Sequence, residues 1–445
     1  MSDETPNTNQ NGQTPDGTKT PDLPPGLASD EDEEEGSSDE PAAGTKKPDL
    51  PPGLSGSEAD ENGASDGTTK PAGPPGTTSP EGPDSDDGPT LPPGYSGDGG
   101  GESLSREDFQ SDQEVRWCPG CGDYAILSTV QRLLPDLGVE KENQVFVSGI
   151  GCAGRFPYYM DTYGIHSIHG RAPAIATGIK TSNPELDVWV VTGDGDALSI
   201  GGNHLMHVLR RNLDTQILLF NNEIYGLTKG QYSPTSDKGT VSKSTPHGSV
   251  DRPFNPVSVA LGADATFVAR TMDRDPQHMK AMMRAAHAHD GTAFLEIYQN
   301  CNIFNDGAFF EFTDRETKAD RALFLEHGEP MTFADGTKGI HLDGLTPEVI
   351  DLESSRWSVE DCLVHDETSP ELATLIGRMS WEEGGNDIPR LDEETPMPRP
   401  FGVLHRTERP TYEALVHEQL RTVTEERGEG DLDALLHDAD TWTIE

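Results

Sequence analysis

Four short runs of uninterrupted apolar character govern what this chain can fold into. They are Gln144–Gly149, Val188–Gly193, Gln216–Asn221 and Ala293–Tyr298. A strand wetted on one face alternates apolar and polar residues. A continuous run belongs to a strand covered on both faces, as in a parallel sheet. Between the runs, Tyr124–Leu134, His204–Arg211 and Pro276–His289 carry helical spacing. This alternation predicts an α/β domain: a doubly wound, mostly parallel sheet with helices on both faces.

The folded part begins near Phe109, which sets a domain at 111–308. Beyond Phe309 the regularity fades, although Tyr412–Glu425 reads as one more helix. Residues 309–445 are expected to form an extended C-terminal arm or small subdomain, covering a partner surface.

Residues 1–110 read as a disordered acidic tail rich in Pro and Gly, unable to bury enough apolar area to offset its ordering entropy. Its Pro-Asp-Leu-Pro-Pro-Gly-Leu segment at 21–27 recurs at 48–54, which reads as a drifting low-complexity spacer. The tail does not account for the charge. The chain carries 79 acidic against 33 basic residues, a net −46, and only 22 of those acids fall in the first hundred positions.

That balance excludes a nucleic-acid binder working through a basic face, and docking on an anionic membrane. No apolar run approaches the roughly 20 residues of a membrane span. The N-terminus lacks a signal-peptide pattern. Five cysteines in 445 residues do not make a disulfide scaffold. The expected setting is cytoplasmic. The acidity of the folded part suggests adaptation to high salt, where screening shortens repulsion.

The chemistry concentrates in Gly193-Asp194-Gly195-Asp196, which follows a buried run and opens a helix. Glycines and a helix N-terminus suit a diphosphate. Asp194 and Asp196 would repel it unless a hard divalent cation intervenes; Mg²⁺ takes both carboxylate and phosphate oxygens. The next run ends in Asn221-Asn222-Glu223-Ile224-Tyr225-Gly226, where an Asn carbonyl offers a further oxygen.

Four cysteines flank this motif. Cys118 and Cys121 form a Cys-x-x-Cys pair, while Cys152 and Cys301 follow predicted strands. Four thiolates hold either a [4Fe–4S] cluster or Zn²⁺, and spacing does not choose. A cluster beside an electron-rich cofactor would have a task that structural zinc would not. Cys362 reads as an ordinary thiol, and His204 and His207 as helix polars.

The Gly-Asp-Gly…Asn-Asn pairing resembles the thiamine-diphosphate (ThDP) and Mg²⁺ motif of ThDP-dependent enzymes. That resemblance makes Asp194, Asn222 and the backbone carbonyl of Ile224 the Mg²⁺ ligands. Five motifs stand in order: Trp-Cys-Pro-Gly-Cys-Gly, Ile-Gly-Cys-Ala-Gly, His-Gly-Arg-Ala-Pro-Ala, Gly-Asp-Gly-Asp and Asn-Asn-x-x-Tyr-Gly-Leu-Thr-Lys-Gly-Gln. Together they resemble the β subunit of 2-oxoacid:ferredoxin oxidoreductases over Val115–Cys301, with weaker similarity in Ile388–Val403.

The resemblance implies a ThDP-binding fold. Cys118, Cys121, Cys152 and Cys301 would ligate a [4Fe–4S] cluster. Ile150, Gly151, Cys152, Ala153, His169, Gly195, Asp196, Gly226 and Leu227 would contact ThDP. The implied reaction is CoA-acylating oxidative decarboxylation of a 2-oxoacid, 2-oxoglutarate or pyruvate, with electrons passed to ferredoxin.

The acid that activates the aminopyrimidine would come from a separate α subunit, in a heterodimer or heterotetramer. Lys229 is a candidate catalytic contact to the substrate carboxylate or coenzyme A; Arg171 is a weaker one. Two other readings stay open: a non-redox ThDP decarboxylase or ligase, and a zinc-stabilised binding subunit without catalysis.

Overall fold

The structure, a computed structural model, describes residues 104–379, 397–437 and 442. The tail up to residue 103 and most of the 388–403 segment lie outside the described residues.

The strands of the first half are β1 (Gln144–Ser148), β2 (Tyr163–His166), β3 (Asp187–Gly193), β4 (Thr215–Asn221), β5 (Ile224–Tyr225) and β6 (Gln231–Tyr232). Then follow β7 (Phe267–Met272), β8 (Thr292–Tyr298), β9 (Ala322–Phe324), β10 (Thr332–Phe333), β11 (Lys338–Asp343), β12 (Thr346–Asp351) and β13 (Arg399–Arg406). The main helices are α1 (Asp123–Leu137), α2 (Ala172–Ser182), α3 (Gly202–Arg211), α4 (Pro256–Gly262) and α5 (Pro276–His287). Two single turns, α6 (Phe310–Thr313) and α7 (Lys318–Arg321), precede α8 (Pro370–Gly377), α9 (Tyr412–Arg427) and α10 (Leu432–Leu436).

Eight strands form one sheet in the order β2-β1-β3-β4-β8-β7-β13-β9. The six from β2 to β7 are mutually parallel, and β13 joins β7 antiparallel. Side-chain alternation explains the apolar runs. In β4, Ile217 and Leu219 enter one core with α2, α3 and α4. Leu218 and Phe220 enter a second core with α1 and α5 on the opposite face. Both faces are thus covered, as the continuous runs predict. β3, β4 and β8 end together, and the loops leaving them form the site.

The expected elements match closely. The helix expected to stop at Leu134 runs to Leu137 with Pro135 inside its last turn. Proline lacks an N–H and discourages a helix interior, which is why the sequence reading stopped early. The chain after Phe309 is not confined to a separate body. β9 and β13 extend the main sheet, while β10, β11 and β12 form a small antiparallel sheet. Ile340 of β11 and Ile376 of α8 share the α2–α4 core.

Candidate functional site

Asp194 follows the carboxyl end of β3 and is 2% exposed. Its Oδ2 accepts two hydroxyls, from Ser233 at 2.5 Å and Thr235 at 2.6 Å. Oδ1 receives neither. Burial raises the Asp194 pKa, and the Ser233 and Thr235 hydrogen bonds oppose that rise. An ionised carboxylate in this position calls for a cation.

Asn222 completes the neighbouring turn. Its Oδ1 accepts the Ile224 amide at 3.2 Å and its Nδ2 donates to Gln299 Oε1 at 2.8 Å. A carbonyl oxygen has two lone pairs, so one remains for a metal. Glu223, between the two, adopts a left-handed φ of 56°. It bends the chain so that Asn222 and Ile224 flank one corner.

Asp196 does different work. Its Oδ1 accepts the amides of Ile150 at 3.0 Å and Gly170 at 2.8 Å, and meets His169 Nδ1 at 2.5 Å. Its Oδ2 accepts the Thr192 hydroxyl at 2.7 Å. One buried carboxylate therefore pins the loops after β1 and β2 to β3. Close approach demands glycine here. A Cβ at Gly195 would enter the Tyr225 ring, and Gly170, at φ +70°, lies against Gly201.

These loops enclose a cavity. Ile150, Gly151, Cys152, Ala153, His169, Asp194, Gly195, Asp196, Asn222, Ile224, Gly226 and Leu227 all line it. Lys229 does not: it sits exposed on the following loop at φ +75°, beside the lining residue Thr228. Arg171 donates to the His169 and Ile200 carbonyls at 3.4 Å.

Cys152 lines the cavity, Cys301 lies beside its wall at Gly226, and all five cysteines are free of disulfides. A Cβ placed on Gly226 would lie 3.5 Å from Cys301 Sγ and 3.7 Å from Cys152 Sγ. Trp117 Nε1 donates to the Cys152 carbonyl at 2.8 Å, joining the Cys-x-x-Cys loop to the loop after β1. Gly122 N donates to Asn300 O at 3.1 Å, and Asn302 Nδ2 to Pro119 O at 2.7 Å, joining it to the loop after β8.

Burial, with Asp123, Cys301 and Cys118 adding, pushes the Cys152 thiol up to about 12. Burial and then Asp123 push Cys121 higher still. Among the described residues, no three His, Cys, Asp or Glu side chains are preset around one metal point. For Cys121 and Cys152 a thiolate needs a bound cation, and metal binding there would release protons.

Sequence reasoning missed Ser233 and Thr235, which approach Asp194 only through a loop closure. It also missed Asp123, a buried cavity-lining acid whose pKa burial raises to about 7. The Tyr225 hydroxyl donates to Gly195 O at 2.9 Å, a role that its place in the Asn-Asn motif does not disclose.

Residues 149–297 match the family of thiamine pyrophosphate enzymes, C-terminal TPP binding domain. The 2-oxoglutarate oxidoreductase subunit KorB of Mycobacterium tuberculosis is 51% identical over 344 residues, spanning 76% of this chain and 88% of the relative. The chain belongs to the β subunits of the 2-oxoacid:ferredoxin oxidoreductases.

A Sulfolobus 2-oxoacid:ferredoxin oxidoreductase β subunit is 45% identical over 201 residues, 45% of this chain and 66% of that one. A solved 2-oxoglutarate:ferredoxin oxidoreductase from Magnetococcus marinus, with 2-oxoglutarate, coenzyme A and succinyl-CoA bound, superposes with a TM-score of 0.58 at 30% identity. The match covers 76% of this chain and 97% of that one. As a β subunit of this oxidoreductase family, the chain has a thiamine-diphosphate-binding domain and a subunit partner. Among its described residues, no helix is long and apolar enough to cross a membrane.

Proposed function

We propose that this β subunit serves a CoA-acylating oxidative decarboxylation, with 2-oxoglutarate as the first candidate substrate and ferredoxin as electron acceptor. The observation that supports the reading is proximity: Asp194, Asn222 and Cys152 line one cavity on the carboxyl ends of the parallel strands, and the Cys301 sulfur lies beside its wall at Gly226. The names of the Mycobacterium and Magnetococcus proteins support 2-oxoglutarate.

Asp194, Asn222 and the Ile224 carbonyl would hold Mg²⁺, which neutralises the ThDP diphosphate. Cys118, Cys121, Cys152 and Cys301 would hold a [4Fe–4S] cluster, and a set of four thiol donors suits that group. ThDP supplies an electron sink for decarboxylation, and the cluster moves electrons singly.

The protein's own part is positional. Asp196 fixes the Ile150 and Gly170 amides at the cavity wall. Gly226 lets the cavity-lining backbone approach the Cys152 and Cys301 sulfurs closely, since a Cβ there would lie within 4 Å of both. No glutamate lines the cavity among the described residues. The family resemblance implies that the acid that activates the aminopyrimidine comes from the α subunit, so this chain should be inactive alone.

The test is an anaerobic assay of the reconstituted complex. Acyl-CoA formation and ferredoxin reduction with 2-oxoglutarate support the reading. Turnover with pyruvate alone corrects the substrate. Decarboxylation without ferredoxin reduction overturns the redox assignment.

A further inference from the structure

Gln299 stands directly after β8 and is 1% exposed. Its backbone amide donates to Asn221 O at 2.9 Å, which fixes it against the cation turn. Its side chain reaches both halves of the site. Oε1 accepts Asn222 Nδ2 at 2.8 Å; Nε2 donates to Cys121 Sγ at 3.2 Å and to Asn300 O at 2.7 Å.

The polarity of this chain of bonds is set from one end. The Ile224 N–H requires Asn222 to turn its oxygen inward. That leaves Asn222 Nδ2 to face Gln299, so Gln299 must present Oε1 to it. Both Nε2 hydrogens then point away, one to sulfur and one to the Asn300 carbonyl. Both donor hydrogens of this buried amide are used, and its oxygen accepts one bond.

We propose that Gln299 is a positioning residue that joins the two cofactor sites: its oxygen orients the Asn222 amide for Mg²⁺, and its N–H tunes the sulfur of Cys121. The proposal rests on the function proposed above. An N–H···S bond stabilises charge on a cluster sulfur and so favours the reduced state, raising the potential. Losing the Asn222 contact frees that amide to rotate, which weakens the cation site.

Two variants separate the two arms. Gln299→Glu keeps an acceptor for Asn222 but exchanges the sulfur donor for a negative charge. Gln299→Leu removes both. Each is assembled anaerobically with its partner subunit. The cluster midpoint is read by EPR-monitored redox titration, and Mg²⁺–ThDP affinity by calorimetry.

Gln299→Glu is expected to retain near-native Mg²⁺–ThDP affinity while its cluster becomes harder to reduce. The ratio of oxidised to reduced cluster at fixed potential should shift roughly tenfold, about 59 mV for one electron. Gln299→Leu should lower the potential and also weaken Mg²⁺–ThDP roughly tenfold, as expected for one lost hydrogen bond.

An unchanged potential in both variants overturns the proposal, as does an unchanged affinity in Gln299→Leu. A wild-type complex without iron refutes the functional reading beneath it. Metal analysis shows that before any variant is made, so the two failures are distinct.

Discussion

Thr235 donates its hydroxyl to the Asp194 carboxylate at 2.6 Å, across 41 positions of sequence. With Ser233 it fixes which Asp194 oxygen is left to face the cavity. A hydrogen bond to a charged group contributes about 1.5–3 kcal/mol. Thr235→Val should therefore weaken Mg²⁺–ThDP binding by roughly tenfold or more, read by calorimetric titration. Asp194→Ala should abolish cofactor retention while leaving the fold. Bound cofactor and turnover in Asp194→Ala would remove it from the cation site.

Asp196 is the joint between three loops. Asp196→Ala strands the Ile150 and Gly170 amides and the Thr192 hydroxyl at once. An unsatisfied buried donor costs about 1–3 kcal/mol. The apoprotein should lose several degrees of melting temperature, with cofactor affinity falling alongside. A variant as stable as wild type would mean these bonds are replaceable by water.

The motif residues were legible because their chemistry is local: Gly-Asp-Gly at a strand end and Cys-x-x-Cys before a helix need few neighbours to be recognised. Ser233 and Thr235 were not, since a serine-rich loop gives no sign of which acid it will meet. Four main-sheet strands, β2, β7, β9 and β13, escaped, two of them for plain physical reasons. β7 carries Arg270 in its centre, which breaks the apolar run, and only the structure supplies the partner Glu296 at 2.7 Å. β13 contains Pro400 and Gly402, ordinary strand breakers. The sheet accommodates them through a register shift at Val403/His405, with Gly402 at φ +117°.

The Arg270–Glu296 pair is wholly buried and underlies the site: Glu296 Oε1 accepts Asn221 Nδ2 at 2.8 Å, and Arg270 Nη1 donates to Pro400 O at 3.1 Å. Breaking one partner of a buried pair costs about 3–5 kcal/mol. Glu296→Ala should approach that loss in chemical denaturation. The double variant Arg270→Met, Glu296→Leu should recover part of it.

His289 is 6% exposed and hydrogen-bonds Thr266 Oγ1 at 2.8 Å. Burial, then the Arg406 charge, lowers its pKa from 6.5 to about 4. The folded state thus holds it neutral, while the unfolded chain takes a proton below about pH 6.5. Its contribution is fully present above that pH and is lost as pH falls towards 4. His289→Gln cannot titrate and should flatten the acid limb of stability over this window. An unchanged pH profile would place its titration elsewhere.

The central claim is that one cavity serves ThDP on its acid-and-amide side and an iron–sulfur cluster on its thiol side. Its most direct measurement is metal, sulfide and coenzyme content of the anaerobically purified α/β complex, with its visible spectrum. About four irons bound to this chain, with ThDP and Mg²⁺, and loss of that iron when Cys152 is changed to Ser, is the predicted result. Zinc in place of iron on the same four cysteines, or a colourless complex that retains ThDP, would contradict it.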